Sequence, residues 1–380
     1  MSRKQVWKVV GLTLLVCGSL YAQKITPFDA QVPPGTGPTQ GTYPTAITPA
    51  GIIVGIVLDA YGVYHGFVRS RDGTTNPFDP PGSTSTIVTG INGVGTITGY
   101  YTDANGVVHG FLRASNGQIT TIDDPGAGAN IGEGTFPLGI SPAGEITGYY
   151  YDTNSASHGF LRTPGGTFKT FDPPTSLATI PEAINSKGEI MGVYLTFDPN
   201  ITPPGAPGPG ANLIHFFLRA KNGTFTSIDP PGLVSANQSG SAGYAGGLSP
   251  ILTISDGSIN PAGSVVGYFF DGSGQQGFLR TPNGTITPIE EPNSYPAPQQ
   301  PPDYTFVNAI NPLRTIIGQY LSSDGSTTHG FVRHPKGNYT TIDGPNSVLT
   351  DATAINPVGE ITGWYQDAND RLFHGFVRTR

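Results

Sequence analysis

The chain has 380 residues, 54 of them glycine and 36 proline, and 36% are hydrophobic. Only 12% are charged, and the net charge of -7 is spread thinly, with no basic stripe to hold a nucleic acid and no acidic tail. That apolar content offsets the ordering entropy of a Gly- and Pro-rich chain, so these residues mark many turns between short strands, not disorder.

The N-terminus reads as a secretory signal spanning residues 1–22. Arg3, Lys4 and Lys8 form a positive start, and Val9 to Leu20 is a weakly polar to apolar stretch of 12 residues. A bilayer core of about 30 Å needs roughly 20 such residues, so no membrane span is expected. Cys17, the single cysteine, lies inside this segment, which excludes disulfides, thiol catalysis and cysteine metal sites from residues 23–380. Val16 is bulkier than the residue that precedes a lipidated cysteine, which favours simple secretion.

From residue 23 a repeat organises the chain. A Gly-Phe-Leu/Val-Arg core, with Phe for Gly in one copy, ends at Arg69, Arg113, Arg162, Arg219, Arg280, Arg333 and Arg378. Histidine precedes six copies (His65, His109, His158, His215, His329 and His374), and Gln276 precedes the fifth. Each unit parses into four strands. A short run such as Ala183-Ile184-Asn185 comes first, and a Pro/Gly turn such as Pro357-Val358-Gly359 follows. The second strand is a run such as Glu360 to Tyr365, and the third is the His-Gly-Phe-Leu-Arg segment. Asn116-Gly117, Asn222-Gly223 and Asn283-Gly284 then supply hairpin turns, because Asn-Gly accepts the positive φ these need. Thr120 to Asp123 and its relatives form the fourth strand.

Four antiparallel strands per unit of this size describe a propeller blade. The last unit stops at Arg380 without a fourth strand. Lys24-Ile25-Thr26-Pro27-Phe28-Asp29 resembles the fourth-strand segment Phe78-Asp79-Pro80-Pro81-Gly82. The expectation is therefore an all-β, seven-bladed propeller over residues 23–380, its ring closed by the N-terminal strand, which removes exposed strand edges.

These units, with Asn-x-x-Gly upstream and Ile-Asp-x-Pro downstream, resemble the HAF family of extracellular bacterial repeats. Glycine stands here where the family name has alanine. The resemblance covers essentially all of residues 23–380. It implies a secreted or envelope protein and brings no activity to assign to particular residues.

A residue present in every unit serves what all units share. The repeated His and the fourth-strand acid (Asp29, Asp79, Asp123, Asp172, Asp229, Glu290 and Asp343) are therefore read as packing and turn residues, with the His bonding a nearby carboxylate or carbonyl. Asp103 to Gly106, Asp271 to Gly274 and Asp367 to Asp370 partly echo calcium loops but lack the full ligand set, and turn chemistry explains them. No cofactor and no metal are expected. The sequence holds no Gly-x-Ser-x-Gly elbow, no His-Glu-x-x-His and no phosphate-binding loop.

Function belongs where the repetition breaks. Thr48 and Asn92 are 44 residues apart, whereas Asn185 and Asn260 are 75 apart. The extra residues fall at 198–212, 233–257 and 293–306. Because strand direction alternates, all three insertions share one face of the ring, and loops on a rigid scaffold are the usual seat of binding. Tyr244, Tyr295, Asp303, Tyr304 and Phe306 lie in them, with Glu182 and Asp256 entering the inner strands on that face. Aromatic rings beside carboxylates suit sugars or a protein partner. The reading is a secreted, monomeric, non-enzymatic module that binds a polysaccharide or cell-surface protein. The alternative is an extracellular carbohydrate hydrolase or lyase using Glu182 and Asp256 as acid and base.

Overall fold

The computed structural model describes residues 24–200, 211–231, 257–270, 275–292 and 304–379. Among them the chain is all β, with 28 strands and no helix. Strand β1 (Lys24–Phe28) stands apart in sequence. The first four-stranded unit is β2 (Gly41–Ile47), β3 (Ile53–Leu58), β4 (Tyr64–Arg69) and β5 (Thr75–Phe78). The second is β6 (Ser85–Ile91), β7 (Ile97–Thr102), β8 (Val108–Arg113) and β9 (Ile119–Ile122). The third is β10 (Gly134–Ile140), β11 (Ile146–Tyr151), β12 (Ser157–Arg162) and β13 (Phe168–Phe171). The fourth is β14 (Ala178–Ile184), β15 (Ile190–Asp198), β16 (Ala211–Arg219) and β17 (Phe225–Ile228). The fifth is β18 (Ser258–Ile259), β19 (Val265–Phe270), β20 (Gln275–Arg280) and β21 (Ile286–Ile289). The sixth is β22 (Thr305–Ile310), β23 (Ile316–Leu321), β24 (Thr328–Arg333) and β25 (Tyr339–Ile342). The last holds β26 (Ser347–Ile355), β27 (Ile361–Asp367) and β28 (Phe373–Thr379). Strand β1 pairs antiparallel with β28, Lys24 opposite Thr379 through Phe28 opposite Gly375.

Every unit is an antiparallel meander whose hairpins follow the turn chemistry of the sequence. Asn92 Oδ1, for example, accepts from the backbone N–H groups of Val94 and Thr96 at 3.2 and 3.0 Å, and Gly95 takes φ 83°. Units pack face to face on the phenylalanine of the third strand: Phe67, Phe111, Phe160, Phe217, Phe278, Phe331 and Phe376 are each 0% exposed. Contacts run from each unit to the next, and β2 packs against β26 and β27.

The first strands are longer than the short runs read from sequence. They begin several residues earlier, at Gly41, Gly134 or Ala178, and run through Pro44, Pro137 and Pro181. A proline reads as a strand breaker, but here a β-bulge follows it at once and already interrupts the ladder. The bulged residues are Thr45, Thr89, Leu138, Glu182, Asn308 and Thr353. Opposite each bulge sits a glycine of the second strand (Gly55, Gly99, Gly148, Gly192, Gly318 and Gly363). A Cβ there would collide with a first-strand carbonyl oxygen.

First strands also touch one another from unit to unit. Asn185 Nδ2 donates to Asn260 O (3.1 Å), Asn260 to Asn311 O (3.3 Å), Asn311 to Asn356 O (3.4 Å) and Asn356 to Thr48 O (3.0 Å). The bulged side chains make a second set. Thr89 Oγ1 donates to Pro137 O (3.0 Å), and Thr353 Oγ1 to Pro44 O (2.7 Å). Buried backbone acceptors are thereby satisfied between units as well as within them.

Candidate binding site

The repeated histidines and acids are consumed inside the scaffold. Each imidazole Nδ1–H donates to the acid that ends the fourth strand: His65 to Asp79 (2.7 Å), His109 to Asp123 (2.9 Å), His158 to Asp172 (2.9 Å), His215 to Asp229 (2.9 Å), His329 to Asp343 (2.8 Å) and His374 to Asp29 (2.8 Å). A tyrosine of the second strand lies against the ring in five of them, as Tyr101 does on His109 with centroids 5.2 Å apart. The pairs tie the fourth strand to the third. Two of the Asp-rich loops are likewise engaged in their own turns: Asp103 Oδ1 accepts from the N–H groups of Asn105 (2.8 Å) and Val107 (2.9 Å), and Asp370 Oδ1 from Leu372 N–H (2.9 Å); Asp271 to Gly274 lie outside the described residues. Among the described residues no group of three or more His, Cys, Asp or Glu side chains could hold a metal ion, and no helix is long and apolar enough to cross a membrane.

The His374–Asp29 pair has a consequence for pH. Partial burial opposes charge on the ring, but bonding and attraction to Asp29 and Asp370 outweigh it and hold the His374 imidazole above its usual value. A raised folded value means that the stabilisation is complete below the unfolded histidine's value and fades as pH rises through the folded one. Melting scans from pH 5 to 8 are expected to show the His374→Gln protein losing less stability with rising pH than the parent. Parallel curves would remove His374 as the cause.

Of the residues proposed from sequence, Tyr244, Asp256, Tyr295 and Asp303 lie outside the described residues. Glu182 is the bulge residue of β14, and its Oε2 accepts from Gly257 N–H at 3.1 Å, bridging the fourth and fifth units. Its carboxylate thus takes part in the same unit-to-unit bonding as Thr89 and Thr353. Tyr304 sits just before β22 and bridges Gln275 at the start of β20, while its carbonyl accepts from Leu321 N–H (3.0 Å).

Tyr304 opens an aromatic run that sequence reasoning grasped only in part. Its ring lies parallel to Phe306 (centroids 6.3 Å, planes at 11°), and Phe306 meets Tyr268 of β19 edge to face at 4.9 Å. The junction between the last and first units holds Tyr43, Trp364 and Phe373, with Tyr43 at 5.5 Å from Trp364 and 5.4 Å from Phe373. The junction between the second and third units holds Tyr100, Phe136 and Tyr149, with Phe136 stacked on Tyr149 at 4.6 Å. Burial pushes the Tyr100 phenol up to about 12, and the Tyr43 phenol is also pushed up to about 12, first by burial and then by Tyr64. The signal for these rungs is the aromatic residue after the second-strand glycine (Gly99-Tyr100, Gly148-Tyr149, Gly267-Tyr268 and Gly363-Trp364). A residue on an alternating strand points to the neighbouring unit, which a strand-by-strand reading does not reveal.

No family model matches the chain, and no curated protein matches it. Among solved structures it is similar to puromycin hydrolase, at 13% identity and a TM-score of 0.51 over 90% of this chain and 53% of that one. It thus spans about half the length of that enzyme. It also aligns with the BP39L lectin from Burkholderia pseudomallei (11% identity, TM-score 0.49, 89% of this chain and 96% of that one). A third alignment is with TolB from Acinetobacter baumannii (12%, 0.45, 87% and 80%). The first likeness shows a β-propeller-like fold and, at that identity, fold alone.

Proposed function

We propose that this chain is a secreted, closed seven-bladed propeller of the HAF type that recognises a polysaccharide or a cell-surface protein without transforming it. The binding surface in this reading is the face reached by the connections between second and third strands and between successive units, where the insertions of units four to six fall. One observation carries the proposal. The repeated polar side chains are engaged within the scaffold, while Tyr304, Phe306 and Tyr268 form a continuous aromatic run beside those insertions. Aromatic faces beside polar loops take up the C–H faces of sugar rings. Glu182 accepts a backbone N–H and so serves as a fixed acceptor, which suits scaffolding more than proton transfer.

The test is the affinity of Tyr304→Ala and Phe306→Ala for whatever glycan or surface protein the parent binds. A loss of tenfold or more, about 1.4 kcal/mol, is expected for each. Unchanged affinity in both would move the site away from the fifth and sixth units.

A further inference from the structure

The tight turns gather at one end of the molecule. Third strands pair in parallel with the first strands of the next unit, Val108 with Gly134, Thr328 with Leu349 and Phe373 with Gly41. Neighbouring units therefore run in the same sense. The turns between first and second strands are also bonded side by side through Asn185, Asn260, Asn311 and Asn356. These turns and those between third and fourth strands share one end, opposite the insertions.

Charge divides between the two ends. Arg71, Lys187, Lys221, Arg314 and Lys336 are exposed in the tight turns, and Lys24 and Lys169 stand early in strands that leave this end. Among the described residues, Arg371 is the only exposed lysine or arginine at the insertion end. The acids reverse the pattern. Asp29, Asp123, Asp172, Asp229, Glu290 and Asp343 are exposed at the insertion end, whereas Asp72 is the only described acid exposed at the turn end. The glutamates there, Glu145, Glu189 and Glu360, are half-buried. Asn185 Nδ2 holds Glu189 at 2.6 Å, and Glu360 is shared between Asn356 Nδ2 (2.8 Å) and Arg71 (3.1 Å). A chain of net charge -7 thus carries a cationic end.

The same end exposes apolar side chains. The second position after each first strand's closing Asn, Ser or Thr holds Ala50, Val94, Ala143, Lys187, Ala262, Leu313 or Val358. Alanine fills it three times, so the turn itself asks for nothing larger. Val94, Leu313 and Val358 nevertheless stand 72%, 54% and 53% exposed. One exposed apolar side chain is ordinary. Three at one turn position, at the end that also collects the cations, match a surface that enters a lipid headgroup layer, where apolar tips are buried and Lys or Arg meet anionic groups. A soluble polyanion would engage the cations and leave those tips in water.

We propose that the tight-turn end docks on an anionic bilayer surface, with Val94, Leu313 and Val358 entering the headgroup layer while Lys187, Lys221, Arg314 and Lys336 meet its phosphodiester groups. Docked in this way, the chain turns its acidic insertion face away from the lipid and leaves that face open. The surface does not depend on what the insertion face binds.

The test is sedimentation of residues 23–380 with vesicles of phosphatidylglycerol and phosphatidylcholine in equal parts, set against vesicles of phosphatidylcholine alone. Retention is expected on the anionic vesicles only. Lys221→Glu combined with Lys336→Glu should weaken it tenfold or more. Val94→Ser combined with Leu313→Ser and Val358→Ser should do the same with the charge unchanged. Both sets change exposed turn positions, so their melting temperatures should stay within about 2 °C of the parent. Arg371→Glu, at the other end, and Tyr304→Ala should bind vesicles as the parent does, which separates this surface from the insertion face. Four results overturn the proposal. They are no retention on anionic vesicles, equal retention on neutral ones, unchanged retention by either set of variants, and association of the chain with itself that Lys221→Glu with Lys336→Glu abolishes. The last would give this end to a second copy of the chain, its acidic face against the cationic one.

Discussion

Removal of residues 24–32 is expected to leave a chain that melts far below the parent and associates in solution. Strand β1 supplies the outermost partner of β28 over Lys24–Phe28, so its loss exposes a row of unpaired backbone groups. Its side chains are engaged as fully as its backbone. Arg69 stacks 4.7 Å over the Phe28 ring, as Arg113 does over Phe78 and Arg219 over Phe171 of the preceding unit. Phe28 also meets Phe67 edge to face at 6.1 Å, and Asp29 and Ala30 hold His374 and Thr42. Phe28→Ala alone should cost about 3 kcal/mol, at the lower end for a large aromatic because the ring is partly exposed. Native stabilities are about 5–15 kcal/mol, so the deletion removes a large share. Thermal melts read with light scattering decide the matter, and a deleted protein that stays monomeric with an unchanged midpoint would refute closure by β1. A disulfide from Thr26→Cys with Val377→Cys, register partners across β1 and β28, should raise the midpoint.

Gly99→Ala is expected to cost about 3 kcal/mol, a large effect for adding one methyl group. The bulge at Thr89 brings Ile87 O onto the inner face of Gly99, and a Cβ there would fall inside that oxygen's contact shell with Phe111 close behind. Neither neighbour yields easily: the carbonyl is fixed by the bulge, and Phe111 is fully buried. Gly93 serves as the control. Nothing lies within 4 Å of its added Cβ and it has no positive φ, so Gly93→Ala should be neutral or gain a few tenths of a kcal/mol, as loss of unfolded-state freedom predicts. Urea unfolding of the two variants side by side reads the difference, and equal midpoints would mean that the bulge is not rigid.

Much of the scaffold was legible because it repeats. The Asn-Gly turns, the third-strand core ending at Arg69 through Arg378, and an acid fourteen residues beyond five of the six repeat histidines all recur often enough for spacing to speak. The upstream half of each first strand did not show, since Pro44, Pro137 and Pro181 read as stops until the bulge after them is known. Glu182 was read as a group entering a binding face. Its bond to Gly257 depends on two first strands 75 residues apart coming side by side, which no local pattern announces. Asp124 was also missed, for a related reason. It follows the repeated acid Asp123 and reads as one more turn residue, and only its burial, with Oδ2 left without a partner among the described residues, sets it apart.

The recognition reading faces its most direct test in a glycan array probed with purified residues 23–380, with released reducing ends counted in the same samples. Retention of a defined glycan without any release is the expected result. Time-dependent release of reducing ends would contradict it, make the protein an enzyme, and turn attention to Glu182 and Asp256.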